Sequence, residues 1–132
     1  MAVGNPVTTT FRAAAATNLS AQANVGLGVA LDTDGRLVLA GVNGRDRVGI
    51  LVDGGRAAGD PCLVAISGLC RAQAGGAIVE GDYVTSEAGG GMVVADEADD
   101  LFGICVQRTD VADGQMFDLL LSLSGGSTAP QP

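Results

Sequence analysis

Residues 77–94 read AIVEGDYVTSEAGGGMVV, and they hold a complete strand, turn and strand in one short stretch. Glu80-Gly81-Asp82 is a turn, residues 83–86 alternate as a strand, Gly89-Gly90-Gly91 is a second turn, and residues 92–94 open the next strand. The same design occurs earlier in the chain. Adding 55 to Gly26, Val29, Gly35, Val38 and Ala40 lands on Gly81, Val84, Gly90, Val93 and Ala95, all identities. Adding 54 carries Gly49-Ile50 to Gly103-Ile104, and adding 55 again carries Gly59 to Gly114 and Ser67 to Ser122. The chain therefore reads as an internal duplication, residues 24–68 followed by residues 79–123, with compensating one-residue length changes in loops.

Composition bounds what such a chain can do. At 132 residues it is long enough for one domain, and a repeat of about 45 residues is too small to bury its own apolar face, so the copies should pack on each other. The sequence is 47% hydrophobic with 21 glycines, and its aromatic residues are Phe11, Tyr83, Phe102 and Phe117. That describes a core of Val, Leu, Ile and Ala joined by tight turns, and it is too apolar for a disordered chain outside the two ends. The expected fold is all-β, a small barrel or sandwich of two tandem repeats with an extended N-terminal arm.

Charge and missing residue types narrow the chemistry. Seven arginines stand against fifteen acids, with no lysine and no histidine, for a formal charge of -8. A surface of that sign repels a phosphate backbone, so no nucleic-acid partner is expected. A biotinyl or lipoyl carrier needs a lysine amine, which is missing. Without histidine the commonest general base, the usual serine and cysteine hydrolase constellations and most transition-metal sites are missing as well. Cys62, Cys70 and Cys105 are odd in number, lack CxxC spacing and sit in apolar runs, so they read as reduced, buried thiols of a protein made in a reducing cytoplasm. The N-terminus lacks the pattern of a signal peptide and no apolar run has transmembrane length, so neither export by the standard route nor a membrane partner is expected. No cofactor is expected.

Taken in order, residues 1–23 form the arm, residues 24–123 the β domain and residues 124–132, SGGSTAPQP after Leu123, a flexible tail. Within the arm, residues 7–11 have strong β propensity, and residues 12–23 fit a loop or one helical turn. Asp32-Thr33-Asp34-Gly35 has the start of a calcium loop but not its later ligands or closing Glu, so it reads as a turn. Gly49 inside residues 47–52 points to a bulge or a close backbone approach. Residues 62–67 are apolar at nearly every position, as expected of a strand buried on both faces or at a subunit contact, and residues 69–73 continue as a strand linking the copies. Asp96, Glu97, Asp99 and Asp100 cluster on one loop, which reads first as a solvated turn and second as a metal-dependent site of a small enzyme.

With the turns laid out, the chain resembles the head decoration, or capsid cement, proteins of tailed bacteriophages. The likeness covers residues 8–122. It rests on VTTTF and the following Asn18-Leu19-Ser20-Ala21, on RLVLAG and GRDRVGIL, on AAGDPCLVAISG, on AGGAIVEGDYVTSEAGGGMVVA, and on FGICVQRTDVADGQMFDLLL. This sequence departs from the commoner pattern in having no lysine and in its Pro-Gln-Pro tail. The resemblance implies a compact β-fold that binds major capsid protein on the outer surface of an assembled shell, often as a trimer, and stabilises the shell as it expands. It carries no catalytic residues over. An appended β binding module of a phage tail or adhesin is the alternative.

The segment singled out as the contact site is Val7, Thr8, Thr9, Thr10, Phe11 and Arg12, which has β propensity but no counterpart in the repeat. An extended peptide of this kind gains most by adding to a sheet edge on a capsid subunit or a neighbouring copy. Val7 and Phe11 would be its apolar anchors, and Arg12 would pair with a carboxylate. Residues 1–12 would then be dispensable for folding and required for binding; the competing reading is an arm folded onto its own barrel. Strands 47–52, 62–67 and 116–123 supply more apolar surface than the repeats can cover, and part of it is expected at a contact between copies, most naturally a trimer.

Overall fold

Alternating and apolar strand sequences punctuated by glycine turns produce an antiparallel sheet that curls back on itself. The computed structural model describes residues 7–14, 19–44, 46–96 and 99–123. Its strands are β1 (Val7–Arg12), β2 (Gly28–Leu31), β3 (Leu37–Leu39), β4 (Arg47–Asp53), β5 (Pro61–Gln73), β6 (Tyr83–Ser86), β7 (Met92–Val94), β8 (Gly103–Cys105) and β9 (Met116–Ser122). Short 3-10 turns lie at Gln22–Asn24 and Val42–Gly44. The strand order is β3-β2-β4-β5-β9-β8-β6-β7, with β1 added to β5. The second half of that order mirrors the first about the β5-β9 pair.

The mirror extends to individual residue pairs. Val29 faces Leu39 and Leu31 faces Leu37 across β2 and β3; adding 55 gives Val84 facing Val94 and Ser86 facing Met92 across β6 and β7. Gly28 faces Ile50 and Val29 faces Gly49; their counterparts Tyr83 and Val84 face Ile104 and Gly103. Ile50 faces Ala65, and Ile104 faces Leu120. Gly26 and Gly81 both have φ near +90°, a left-handed conformation that a residue with a Cβ adopts only at a cost, and their N–H groups donate to the carbonyls of Leu51 and Cys105. Ser67 and Ser122, which are also 55 apart, pair with each other at the centre.

One expectation about the arm is corrected here. Residues 7–12 do have a structural counterpart, which is the second half of β5. Thr8 to Arg12 pair with Ala65, Val64, Leu63, Cys62 and Pro61. Adding 61 to the first set and 55 to the second gives Leu69 to Gln73 paired with Leu120, Leu119, Asp118, Phe117 and Met116, which is the observed register of β5 on β9. The next residues match as well: Ala13 makes a parallel bridge to Leu37, and Ala74 one to Met92. Those two bridges bring β1 round to β3 and the end of β5 round to β7. Gly68, φ 95°, sits where β5 passes from one half to the other.

Two cores result. Ala13, Leu19, Val29, Leu37, Leu51, Cys62 and Val64 form the smaller one, with Phe11, Leu31, Leu39, Val48 and Ile66 packed against it. The larger contains the second-half counterparts, including Val84, Met92, Cys105, Phe117 and Leu119, and extends to Ala30, Ile50 and Ala65 of the first half. Each fully buried Leu, Val or Phe contributes roughly 2 kcal/mol relative to exposure. The halves are joined by polar contacts too. Arg47 Nε donates to the carbonyl of Leu101 and its NH1 lies 3.7 Å from Asp100 Oδ2, while the Thr85 hydroxyl donates to the carbonyl of Asp100 at 2.7 Å. Of the three strands with surplus apolar residues, most of the surplus lies in these cores; Val52, Leu63 and Leu120 remain exposed.

Cys62, Cys70 and Cys105 are free and buried. Burial raises all three thiol pKa values, that of Cys70 from its ordinary 9.0 to about 11. A thiol that holds its proton more tightly when folded leaves stability untouched below pH 9 and lowers it as the pH rises towards 11, where the unfolded chain ionises first. Cys70 alone lowers stability by about 2 kcal/mol between pH 9 and pH 11. Thermal unfolding at pH 8 and pH 11 checks this: Cys70→Ala should show a smaller drop in Tm between the two than the parent protein.

Candidate functional site

β1 is a sheet edge made from threonines. Its side chains alternate, with Thr9 and Phe11 half-buried and Val7, Thr8, Thr10 and Arg12 exposed. Phe11 packs against the smaller core and so faces the chain's own interior. Arg12 NH1 donates to the carbonyl of Gly59 at 3.2 Å, which fixes the guanidinium over the start of β5. Val7 is 55% exposed. Its register is shifted by a bulge, so that Val7 faces Ser67 while Thr8 faces Ala65.

The six residues are therefore brought together, but on the chain's own sheet. One edge of β1 is taken by β5, and among the described residues no other strand pairs with β1 over residues 7–12. An edge of this kind is suited to receive a strand from a partner. Ser67 pairs with both Val7 and Ser122, so the beginning of β1 and the end of β9 meet at one residue. Whatever precedes Val7 and follows Leu123 starts from the same corner of the fold.

The acidic residues are used locally as turn caps. Asp32 Oδ1 accepts from the N–H groups of Asp34 and Arg36, both at 2.9 Å, which accounts for the Asp-x-Asp-Gly sequence as a turn. Asp60 Oδ2 accepts from Arg56 and Ala57, and in the counterpart turn Gln115 Oε1 accepts from Ala112. On the acidic loop Asp99 is buried and its Oδ2 accepts from the N–H of Asp96 at 2.8 Å, while Asp100 faces Arg47. Glu97 lies outside the described residues. Among the described residues no three His, Cys, Asp or Glu side chains are grouped to hold a metal ion. The chemistry on offer at β1 is recognition: backbone hydrogen bonding along an edge, with hydroxyls on the outer face.

No family model matches the chain, and no curated protein does. Among solved structures it is similar to the head fiber gp8.5 N base in bacteriophage phi29. The match has a TM-score of 0.61 and 24% sequence identity, and covers 88% of this chain and 95% of that one. The two share a fold. The match runs over most of both chains, so it takes in both halves.

Proposed function

We propose that this chain is a structural protein of a bacteriophage virion. It binds major capsid protein on the outer surface of the head, as a homotrimer on the shell, and stabilises the expanded shell without catalysis. It is made in the host cytoplasm as one β domain in which β1 packs with residues 24–123, the latter having arisen by tandem duplication. The observation that carries this reading is the shared fold with a phage head fiber base, which agrees with the resemblance of residues 8–122 to head decoration proteins. The contact is the outer edge of β1, residues Val7 to Arg12, with Thr8 and Thr10 facing the partner. An excess of negative charge suits a surface that must bind protein on a DNA-filled particle without binding DNA.

The test is binding to expanded, protein-depleted heads. Thr8 and Thr10 are exposed, so Thr8→Glu with Thr10→Glu should fold normally and lose at least about tenfold in affinity, about 1.4 kcal/mol. Full affinity in the double variant would place the contact elsewhere. A second reading, a non-catalytic binding module of a fiber, tail or adhesin, is favoured by one observation: the solved neighbour is the base of a fiber. The two readings differ in what binding does. A cement protein raises the temperature at which heads release their DNA, whereas a fiber base binds and leaves that temperature unchanged.

A further inference from the structure

The two hairpins that the repeat makes alike are used differently. The turn between β6 and β7 is closed by Glu87 N–H donating to the carbonyl of Gly91 and Gly90 N–H to that of Glu87; the turn between β2 and β3 repeats this with Asp32 to Arg36 and Gly35 to Asp32. First-half residues close over the second of these hairpins. Gly28 N–H donates to the carbonyl of Gly90, and Gly89 N–H to that of Ala40. The Ser86 hydroxyl donates to the carbonyl of Gly41 and accepts from Gly44 N–H at 3.2 Å. The incoming side needs glycine: a Cβ on Gly44 would meet the carbonyl oxygen of Asp100, and one on Gly28 would lie 2.8 Å from Met92 Cε. Arg47 completes the contact through the Leu101 carbonyl and the Asp100 carboxylate.

The same place on the first half is empty. Subtracting 55 from Ser86, Glu87 and Gly90, and 54 from Asp100 and Phe102, gives Leu31, Asp32, Gly35, Asp46 and Val48. Leu31, Asp32, Asp46 and Val48 line an open groove, and Asp32 with Asp34 lines a second beside it. The turn glycines show the difference. Gly90 is buried, and a Cβ on it would lie 2.5 Å from the carbonyl oxygen of Gly28; Gly35 is exposed, and a Cβ there would meet nothing within 4 Å. Asp100 has Arg47 as its ion-pair partner, whereas Asp46 is exposed and has none among the described residues.

The filled site indicates what the open one takes. A second copy of this chain does not fit, because the counterparts of Gly28, residues 41–44 and Arg47 are Tyr83, residues 96–99 and Leu101. Tyr83 brings a ring where glycine is needed, and Leu101 has no donor for Asp46. Residues 96–99 carry three acids, which would meet Asp32, Asp34 and Asp46. We propose that the groove between the β2–β3 turn and the start of β4 binds a glycine-containing turn of a different protein, whose arginine Asp46 receives as Asp100 receives Arg47. Glycine lets the partner's backbone come against the Gly35 turn, and the guanidinium offsets the three acids. The site is separate from the outer edge of β1 and does not depend on the capsid reading.

A synthetic peptide with the sequence of residues 39–48, LAGVNGRDRV, is the probe, titrated into the full chain and followed through amide chemical shifts. Shifts should concentrate on residues 31–36 and 46–48. The peptide carrying Arg47→Ala should bind at least about fivefold more weakly. The unchanged peptide should lose as much on Asp46→Asn, a substitution that tolerates the left-handed φ of 57° at this position. Asp113→Asn, at an exposed residue of another turn, should leave binding unchanged. If Asp46→Asn lowers the thermal midpoint, the peptide variant still decides, since it leaves the protein untouched. No shifts in the groove at millimolar peptide, equal binding of the two peptides, or equal weakening by Asp113→Asn and Asp46→Asn overturns the proposal.

Discussion

Removing residues 1–12 is expected to unfold the first half of the protein, not to leave a trimmed and stable one. β1 supplies a full partner to residues 61–67 of β5, and Phe11 lies over the smaller core. The deletion also releases Ala13, which is fully buried and bridges Leu37. Losing one ladder and uncovering Leu37, Leu51 and Val64 should cost about 5 kcal/mol or more, a large share of the 5–15 kcal/mol typical of a domain. Thermal unfolding followed by circular dichroism should show a fall in Tm of at least about 15 °C, or no cooperative transition. A deletion variant that melts within a few degrees of the parent would mean that β1 is an accessory arm after all. Because of this, binding has to be tested with substitutions at Thr8 and Thr10, which leave the strand in place.

Gly49→Ala and Gly103→Ala are expected to be as damaging as each other. A Cβ at Gly49 would collide with the carbonyl oxygen of Ala65, and one at Gly103 with the carbonyl oxygen of Leu120, which is the counterpart of Ala65. In both cases the obstacle is ladder backbone, so the strands must move apart and nothing flexible can yield. Each substitution should destabilise by roughly 3–5 kcal/mol, in the range of severe core mutations. Gly35→Ala is the contrast: its φ of 75° is strained for alanine, but no atom lies near the added Cβ, so about 1 kcal/mol is expected. Chemical denaturation of the three variants measures this directly. If Gly49→Ala is tolerated while Gly103→Ala is not, the two halves are not built alike at their centre.

The sequence made the hairpins legible because glycine turns mark both ends of each strand. Residues 83–86 and 92–94 form β6 and β7 at the expected positions, and the Gly49 and Gly103 strands pair as the repeat required. Strand ends were less clear. Residues 25–31 read as one strand, yet β2 starts at Gly28, because Gly26 takes a left-handed φ and turns the chain. β1 was legible as a strand but not as part of the repeat. Its counterpart, LCRAQ of β5, matches TTTFR at no position, and what the two have in common is a backbone register set by residues more than forty positions away. For the same reason Phe11 and Arg12 read as free anchors although one packs inward and the other donates to Gly59.

The surplus apolar residue of β9 was legible in the sequence. A strand with one wet face needs apolar residues at alternate positions, and Leu119-Leu120-Leu121 fills three in succession. Leu119 and Leu121 are buried, and the middle leucine is the one in excess. Residues 15–18, Glu97 and the tail 124–132 lie outside the described residues, so the readings placed on them rest on sequence alone.

We propose that this chain acts by binding the outside of a phage head. Electron cryomicroscopy of expanded heads incubated with the purified protein tests it most directly. Binding predicts added density on the outer surface, at sites repeated with the shell lattice and oriented with β1 against the capsid. Heads that show no added density at saturating protein, or density in which β1 points to solvent, would contradict it.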